Sequence, residues 1–261
     1  MLPKRWLWQC KGCRRQTSTT AGTVLHRTRV PLTQWFRAAY LVSTLTPGLS
    51  AVQLQRQLGL GTYETAWTMI HRLRRAMLRP ERDKLTGPVE VDESFIGGAR
   101  SGKRGRGAAG KVIVIGAVEV RGEGSGRVRL AVIASATHSA LEGFVQGNVV
   151  EGGTVFTDGF PRYERLKTLG YHHQPENAGG ARNPRNILPR IHRVFSNLKT
   201  WLAGTHHGVA SKNVPAYLRE FEFRFNRRRT PMAAFQSLLG LTSRHPPQRV
   251  RRRSRASESI R

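Results

Sequence analysis

Acidic side chains are scarce in this 261-residue chain: 16 Asp and Glu stand against 44 Lys and Arg. The formal net charge of +28 and a pI near 11.7 exclude a protein that works by presenting an acidic surface. They point to a polyanion as partner, nucleic acid first. Basic residues are spread along the whole chain, so several segments should touch the backbone and affinity should fall steeply with salt. Cysteine is nearly absent. Cys10 and Cys13 are the only two, which excludes a disulfide scaffold; in a reducing compartment their Cys-x-x-Cys spacing reads as half of a zinc knuckle. A structural zinc needs four ligands, and the nearest histidine downstream, His26, stands alone. Either a second knuckle was lost with a truncated amino terminus or this one is vestigial, so zinc is left open. Long apolar runs are missing too. No stretch is long enough to span a bilayer and the amino terminus lacks a charged-then-apolar signal, so the expected location is the cytoplasm, with no membrane partner.

Scarcity makes position informative. Of the three aspartates, Asp83, Asp92 and Asp158, the last two sit at the polar ends of apolar, strand-like runs. The first run is Pro88-Val89-Glu90-Val91-Asp92-Glu93-Ser94-Phe95-Ile96-Gly97-Gly98, and the second closes as Val155-Phe156-Thr157-Asp158-Gly159. Carboxylate oxygens are the ligands that magnesium and manganese prefer. A basic chain holding such a pair suggests phosphate chemistry on nucleic acid. A ribosomal protein would match on charge, but seldom places isolated carboxylates in this way, and the length leaves room for a core with one or two small modules.

The segment 31–80 reads as helical. Trp35, Phe36, Ala39, Tyr40, Val42 and Leu45 recur near a 3.6 period after Pro31, and Pro47-Gly48 breaks the run. Ser50 opens a short helix through Leu58, Gly59-Leu60-Gly61 turns the chain, and Thr62 caps a longer helix through Met77. Short helix, glycine turn, basic second helix is helix-turn-helix grammar. On it His71, Arg72, Arg74 and Arg75 are the candidate DNA contacts; a small bundle with a solvated basic face is the plainer alternative.

Beyond Pro80 the chain turns to strands at Val89–Ile96, Val112–Val120 and Arg127–Ser135, with a glycine- and arginine-rich loop at 97–110 and a turn at Gly122–Gly126. A helix at Ser139–Gly147, a strand at Thr154–Thr157, a helix at Pro161–Leu169 and a strand at Tyr171–Gln174 follow. Helices at Leu188–Leu202 and Ser211–Phe225 come last. This order predicts an α/β domain built on a mixed sheet. Asp92 and Asp158 would then stand side by side on strands about 4.8 Å apart.

The order, with aspartates on the first strand and after the fourth, resembles the ribonuclease-H-like fold of retroviral integrases and DDE transposases. The words Val91-Asp92-Glu93-Ser94-Phe95-Ile96-Gly97-Gly98, Thr157-Asp158-Gly159, Gly204-Thr205-His206-His207 and Glu220-Phe221-Glu222-Phe223-Arg224-Phe225-Asn226-Arg227-Arg228 are similar to the ISXO-type group of insertion-sequence transposases. The resemblance covers about residues 5–242. It implies a remnant of a zinc-ribbon-like segment at 1–30, a helix-turn-helix domain at 31–80 and a ribonuclease-H-like catalytic domain at 86–243. Composition makes 244–261 a basic disordered tail.

The resemblance also implies catalysis by Asp92, Asp158 and a third metal ligand on a late helix. Alignment on Leu198-Lys199 and Gly204-Thr205 places His192 where a glutamate is usual; Asn197 is the competing position. Lys199 stands two helical turns beyond His192, on the same face, where it would meet a DNA phosphate. The implied cofactors are two Mg2+ or Mn2+ ions, and the implied partner is double-stranded DNA, both element ends and target, bound by a homo-oligomer. The alternative is a non-catalytic or decayed DNA-binding protein derived from such an element. Glu90 reads as a neighbour of the site, His206 and His207 as an exposed loop, and Glu220 with Arg224 as a helix-surface ion pair.

Overall fold

The structure, a computed structural model, describes residues 7–79, 81–97, 111–176 and 187–244. The basic tail from 245 and the glycine- and arginine-rich loop between 98 and 110 lie outside the described residues. The chain divides into two compact units.

The first unit opens with a small antiparallel hairpin, β1 (Leu7–Gln9) and β2 (Gln16–Ser18). Cys10 and Cys13 sit in its tip, closed by Cys10 N–H donating to Arg15 O at 2.9 Å and Arg14 N–H to Cys10 O at 3.0 Å. Three helices follow: α1 (Leu32–Thr44), α2 (Ala51–Leu58) and α3 (Tyr63–Ala76). Their predicted starts and stops hold because the local chemistry is strong. Thr62 Oγ1 accepts from Thr65 N–H at 3.3 Å at the start of α3, and Gly59 ends α2 with φ +61°, a conformation that favours glycine. Trp35, Ala38, Val42, Leu54, Met69, Ile70 and Leu73 form the buried stripes. The last helix, Pro231–Arg244, also groups with this unit. Its Phe235 ring meets Tyr40 edge-on at 5.5 Å, and Thr242 O accepts from Val24 N–H at 3.4 Å. The compact strand-rich unit thus ends at Pro231, short of the expected boundary at 243, because packing rather than sequence order assigns this helix.

The second unit is the mixed sheet. Its strands are β3 (Val89–Ile96), β4 (Val112–Arg121), β5 (Gly124–Ile133), β6 (Thr154–Thr157) and β7 (His172–Pro175), interrupted by α4 (His138–Asn148) and followed by α5 (Pro189–His206) and α6 (Val214–Asn226). The spatial order is β5-β4-β3-β6-β7. β3, β4 and β5 are antiparallel, whereas β6 and β7 run parallel to β3. This is the ribonuclease-H-like arrangement that the sequence predicted.

Two local readings differ. The β4–β5 turn is only Gly122-Glu123, with Arg121 paired to Gly124, so β5 begins earlier than Arg127. Gly126 lies within the strand, where a Cβ would come within 2.7 Å of Glu119 Oε2; its glycine serves close approach, not turning. The second difference is at Pro161–Leu166, a 3-10 helix rather than an α-helix.

Strand alternation sorts the core into two layers. Val89 and Val91 of β3, with Ile115 and Ala117 of β4, face a core shared with Leu141, Phe144 and Val145 of α4. Val114, Val118, Val128 and Leu130 face the other core, with Ile191, Val194, Phe195 and Leu198 of α5 and Leu218 of α6. The same period-two logic sends Glu90 and Asp92 to the α5 face and Glu93 to the α4 face.

Candidate active site

Asp92 stands on β3 where α5 crosses the sheet. Its Oδ1 accepts from Glu93 N–H at 2.8 Å, and its Oδ2 lies 3.1 Å from His192 Nε2. His192 is in the first turn of α5, and that turn is held by the strand itself. Leu188, in the left-handed region at φ 53°, precedes Pro189 and offers no side-chain cap. Glu90 supplies one instead: its Oε2 accepts from the N–H groups of Arg190 and Ile191, both at 2.8 Å. Its Oε1 accepts from Arg190 Nη1 at 2.8 Å. A carboxylate at a helix amino terminus satisfies orphan N–H groups and meets the positive end of the dipole.

An open cleft of about 410 Å³ lies at this junction, lined by Asp92, Glu93 and Ser94 of β3 and by His192, Phe195, Ser196 and Lys199 of α5. His192, Ser196 and Lys199 follow helical spacing, so one face of α5 presents an imidazole, a hydroxyl and an ammonium. Burial lowers the Lys199 ammonium from its ordinary range, while Asp92 pulls it upward and Lys111 pushes it down. Asn197 is exposed and does not line the cleft.

Asp158 follows the end of β6. The β3–β6 register pairs Val89 with Val155 and Glu90 with Phe156; continued by two residues, it sets Asp158 opposite Asp92. Pairing stops before that point, and Asp158 turns into the following loop, where its Oδ1 accepts from Phe160 N–H at 3.0 Å. Among the described residues no three His, Cys, Asp or Glu side chains are grouped closely enough to hold a metal ion. The structure therefore brings two of the three expected ligands into contact and leaves the third in a side-chain turn of its own. Tyr163 lies close by. It is fully buried, and its hydroxyl donates to Glu93 Oε2 at 2.6 Å. Burial raises its pKa well above the ordinary phenol value, and the charges of Glu93, Asp92 and Asp158 add to that, so all three carboxylates act on one phenol.

The donor set suits a hard or borderline cation. Two cis ligands at octahedral bond lengths of about 2.1 Å stand about 3 Å apart, close to the 3.1 Å between Asp92 Oδ2 and His192 Nε2. Oxygen with imidazole nitrogen suits manganese better than magnesium.

The basic row of α3 is not a free face. His71 and Arg74 are 7% and 2% exposed; His71 lies on Trp67 with ring centroids 3.9 Å apart, and Arg74 Nη1 is 3.3 Å from His71 Nε2. The expected DNA contact by these two is corrected, because α3 buries Ala66, Met69, Ile70, Leu73 and Ala76 as well and so is covered around most of its girth. Arg72 Nη1 donates to Val24 O and His26 O at 3.2 and 3.3 Å. Arg75 is partly exposed.

Two further readings change. Glu220 and Arg224 do pair, at 3.4 Å, but Glu220 is fully buried rather than on the surface. His206 is packed edge-on between Trp201 and Tyr217, at 4.7 and 4.8 Å, and His207 ends α5 with φ 51°. Cys10 and Cys13 are both exposed. The Cys10 thiol is lowered by the Cys13 N–H, the Cys13 side chain and the Gly12 N–H, which is how a metal knuckle favours thiolate. Sequence reasoning missed Arg190, Tyr163 and Gly116; of these only Gly116, inside an apolar strand, carried a local signal, since a strand glycine marks close approach.

The ISXO2-like transposase domain family matches residues 84–226. A Halobacterium salinarum protein described as an uncharacterized protein in transposable element ISH50 is 29% identical over 236 residues, which is 82% of this chain and 76% of that protein. Solved structures with some likeness include the Mos1 transposase paired-end complex with left transposon end, at 12% identity, TM-score 0.35, 83% of this chain and 81% of that one. Another is the simian T-cell lymphotropic virus intasome in complex with a PP2A regulatory subunit, at 13% identity, TM-score 0.35, 66% and 67%. At such scores the likeness adds nothing to the fold, which is read from sheet order and register. The family match spans more than half of the chain, from just before β3 to the end of α6, and on that ground the protein belongs to the ISXO2-like transposase domain family.

Proposed function

We propose that this transposase cuts DNA at the ends of an insertion sequence and joins them to target DNA by metal-dependent phosphoryl transfer. The observation that carries the reading is the 3.1 Å approach of His192 Nε2 to Asp92 Oδ2 in a cleft that Lys199 also lines. Asp92 and His192 would hold a divalent ion, with Asp158 joining from the neighbouring strand end once its loop closes on DNA. When bound, two such ions supply Lewis-acid activation of the attacking oxygen and stabilise the leaving one. Lys199, exposed along the cleft, orients a backbone phosphate. Mg2+ or Mn2+ is the cofactor, and the imidazole ligand makes Mn2+ the better supported of the two. The helical unit binds double-stranded DNA as a helix-turn-helix with Arg75 at its surface, a homo-oligomer holds two ends, and the protein works in the cytoplasm. Among the described residues no helix is long and apolar enough to cross a membrane.

A second reading, a decayed element's DNA-binding protein, is favoured by Asp158 Oδ1 being taken up by Phe160 N–H in a turn of its own. Nicking of end-containing DNA separates the two. The transposase reading expects cleavage that needs Mg2+ or Mn2+ and stops in Asp92→Asn; cleavage that survives Asp92→Asn and Asp158→Asn together removes the catalytic assignment.

A further inference from the structure

We propose that Glu90 is a positioning residue that sets where His192 stands against Asp92, by capping the first turn of α5 from β3. The inference rests on the reading of Asp92 and His192 as metal ligands. Glu90 and Asp92 are two residues apart on one face of β3, and Ile191 and His192 are consecutive on α5. Two of the contacts between these elements therefore stand side by side: Glu90 Oε2 to the N–H of Ile191 at 2.8 Å, and Asp92 Oδ2 to the imidazole at 3.1 Å. The first fixes the helix end, and the imidazole is one residue beyond the fixed point.

Among the described residues, no other side chain caps this turn. Pro189 has no N–H, Leu188 provides no side-chain acceptor, and Glu90, at 3% exposure, is the acceptor for both following N–H groups. Arg190 neutralises the buried carboxylate at 2.8 Å and reaches on through Nε to Gly124 O at 3.1 Å and through Nη2 to Gly122 O. The clamp is thus tied to the β4–β5 turn. Gly116 completes the fit. It pairs directly with Asp92 across β3 and β4, and a Cβ there would come within 2.9 Å of Ile191 Cδ1 and 3.1 Å of Phe195 Cζ. The sheet is bare where α5 comes closest, so the short Asp92 side chain meets the helix.

The test begins without metal, with ring nitrogen NMR signals of His192 assigned by loss in His192→Ala. In Glu90→Gln the amide keeps one acceptor but presents N–H groups to Arg190 and the helix end. Its His192 signals should move as they do in Asp92→Asn; unmoved signals in a cooperatively folding Glu90→Gln protein overturn the proposal. Titration with Mn2+ alone, read by EPR, then asks whether Glu90 acts through His192. Affinity should fall about tenfold in Glu90→Gln, the scale for groups that orient metal ligands, and less than about twofold when His192 is already Ala. Equal losses in both backgrounds refute the route through His192. Unchanged Mn2+ affinity in His192→Ala would instead sink the metal reading, while the metal-free signals still decide for or against Glu90. Should Glu90→Gln not fold, Arg190→Met, which spares both main-chain contacts, must shift the His192 signals in the same direction by less, and unmoved signals again refute the clamp.

Discussion

Two helices of the strand-rich unit are fastened to one sheet by buried carboxylates, and they are fastened in opposite senses. At α5 the strand carries the acid: Glu90 of β3 accepts main-chain N–H groups of the helix. At α6 the helix carries it: Glu222 Oε2 accepts from Leu130 N–H of edge strand β5 at 3.1 Å. Four residues on, Asn226 accepts from Val128 N–H at 2.7 Å and donates to Val128 O at 3.1 Å. The α6 arrangement covers an open sheet edge, where exposed N–H and C=O groups would otherwise invite pairing with another chain. The α5 arrangement leaves a cleft. Capping a helix from below aims its first-turn side chains at the neighbouring strand, whereas binding an edge seals a surface. The long Glu-Phe-Glu-Phe-Arg-Phe-Asn motif is therefore architecture, and the short Val-Asp-Glu motif places Asp92 and Glu93 along the cleft.

Breaking the site side should give the largest effect. Metal-held transition states draw several kcal/mol from their ligands, so Asp92→Asn should slow nicking roughly a thousandfold at unchanged thermal stability; end-labelled DNA cleavage and a melting curve check both halves. The edge side should behave the other way. Arg82 and Arg129 pair with Glu222, Arg129 at 3.6 Å, and Arg129 is 5% exposed. Glu222→Gln leaves that guanidinium buried and uncompensated, at a cost of about 3 kcal/mol, with the cleavage rate per folded molecule unchanged. A loss of cleavage at full folding would erase the distinction between the two helices.

Gly116→Ala sharpens the contrast at smaller size. The new methyl meets Ile191 and Phe195, and overpacking of this kind costs about 1–3 kcal/mol. Because α5 must lift from Asp92, cleavage should fall too, unlike in Glu222→Gln. The smallest effect concerns pH. Burial would raise Glu119, but hydrogen bonds from the Arg127 side chain and N–H and from Thr86 N–H, with the Arg127 charge, lower it from 4.5 to about 2. A depressed carboxylate stabilises fully above about pH 4.5 and loses that contribution as pH falls toward 2. Allowing for solvent around Arg127, 31% exposed, Glu119→Gln should cost about 1 kcal/mol at pH 7, and its melting curve should converge on the parent's toward pH 2.

Much of the fold was legible in local pattern. Val89–Ile96 and Thr154–Thr157 were read to the residue because apolar alternation and glycine boundaries are properties of the segment alone. His192 and Lys199 share a face by helical spacing, whatever lies opposite. What local pattern could not carry was partnership across distance. His71 and Arg74 have the same chemistry as the residues of α5, yet they are buried while His192 and Lys199 open on a cleft, because burial depends on which elements close over a helix. Likewise Asp158 matches Asp92 in register but turns aside where the β3–β6 pairing ends.

The amino-acid sequence by itself determined the elements, their order, the basic character and the aspartates on and just after two of the strands, since each follows from short-range periodicity and composition. The tertiary structure alone decided that Glu90 caps a helix 100 residues away, that a bare Gly116 admits that helix to the sheet, and that the last helix joins the first unit. Those outcomes depend on long-range packing, in which the free energy of one contact exists only once all the others have formed.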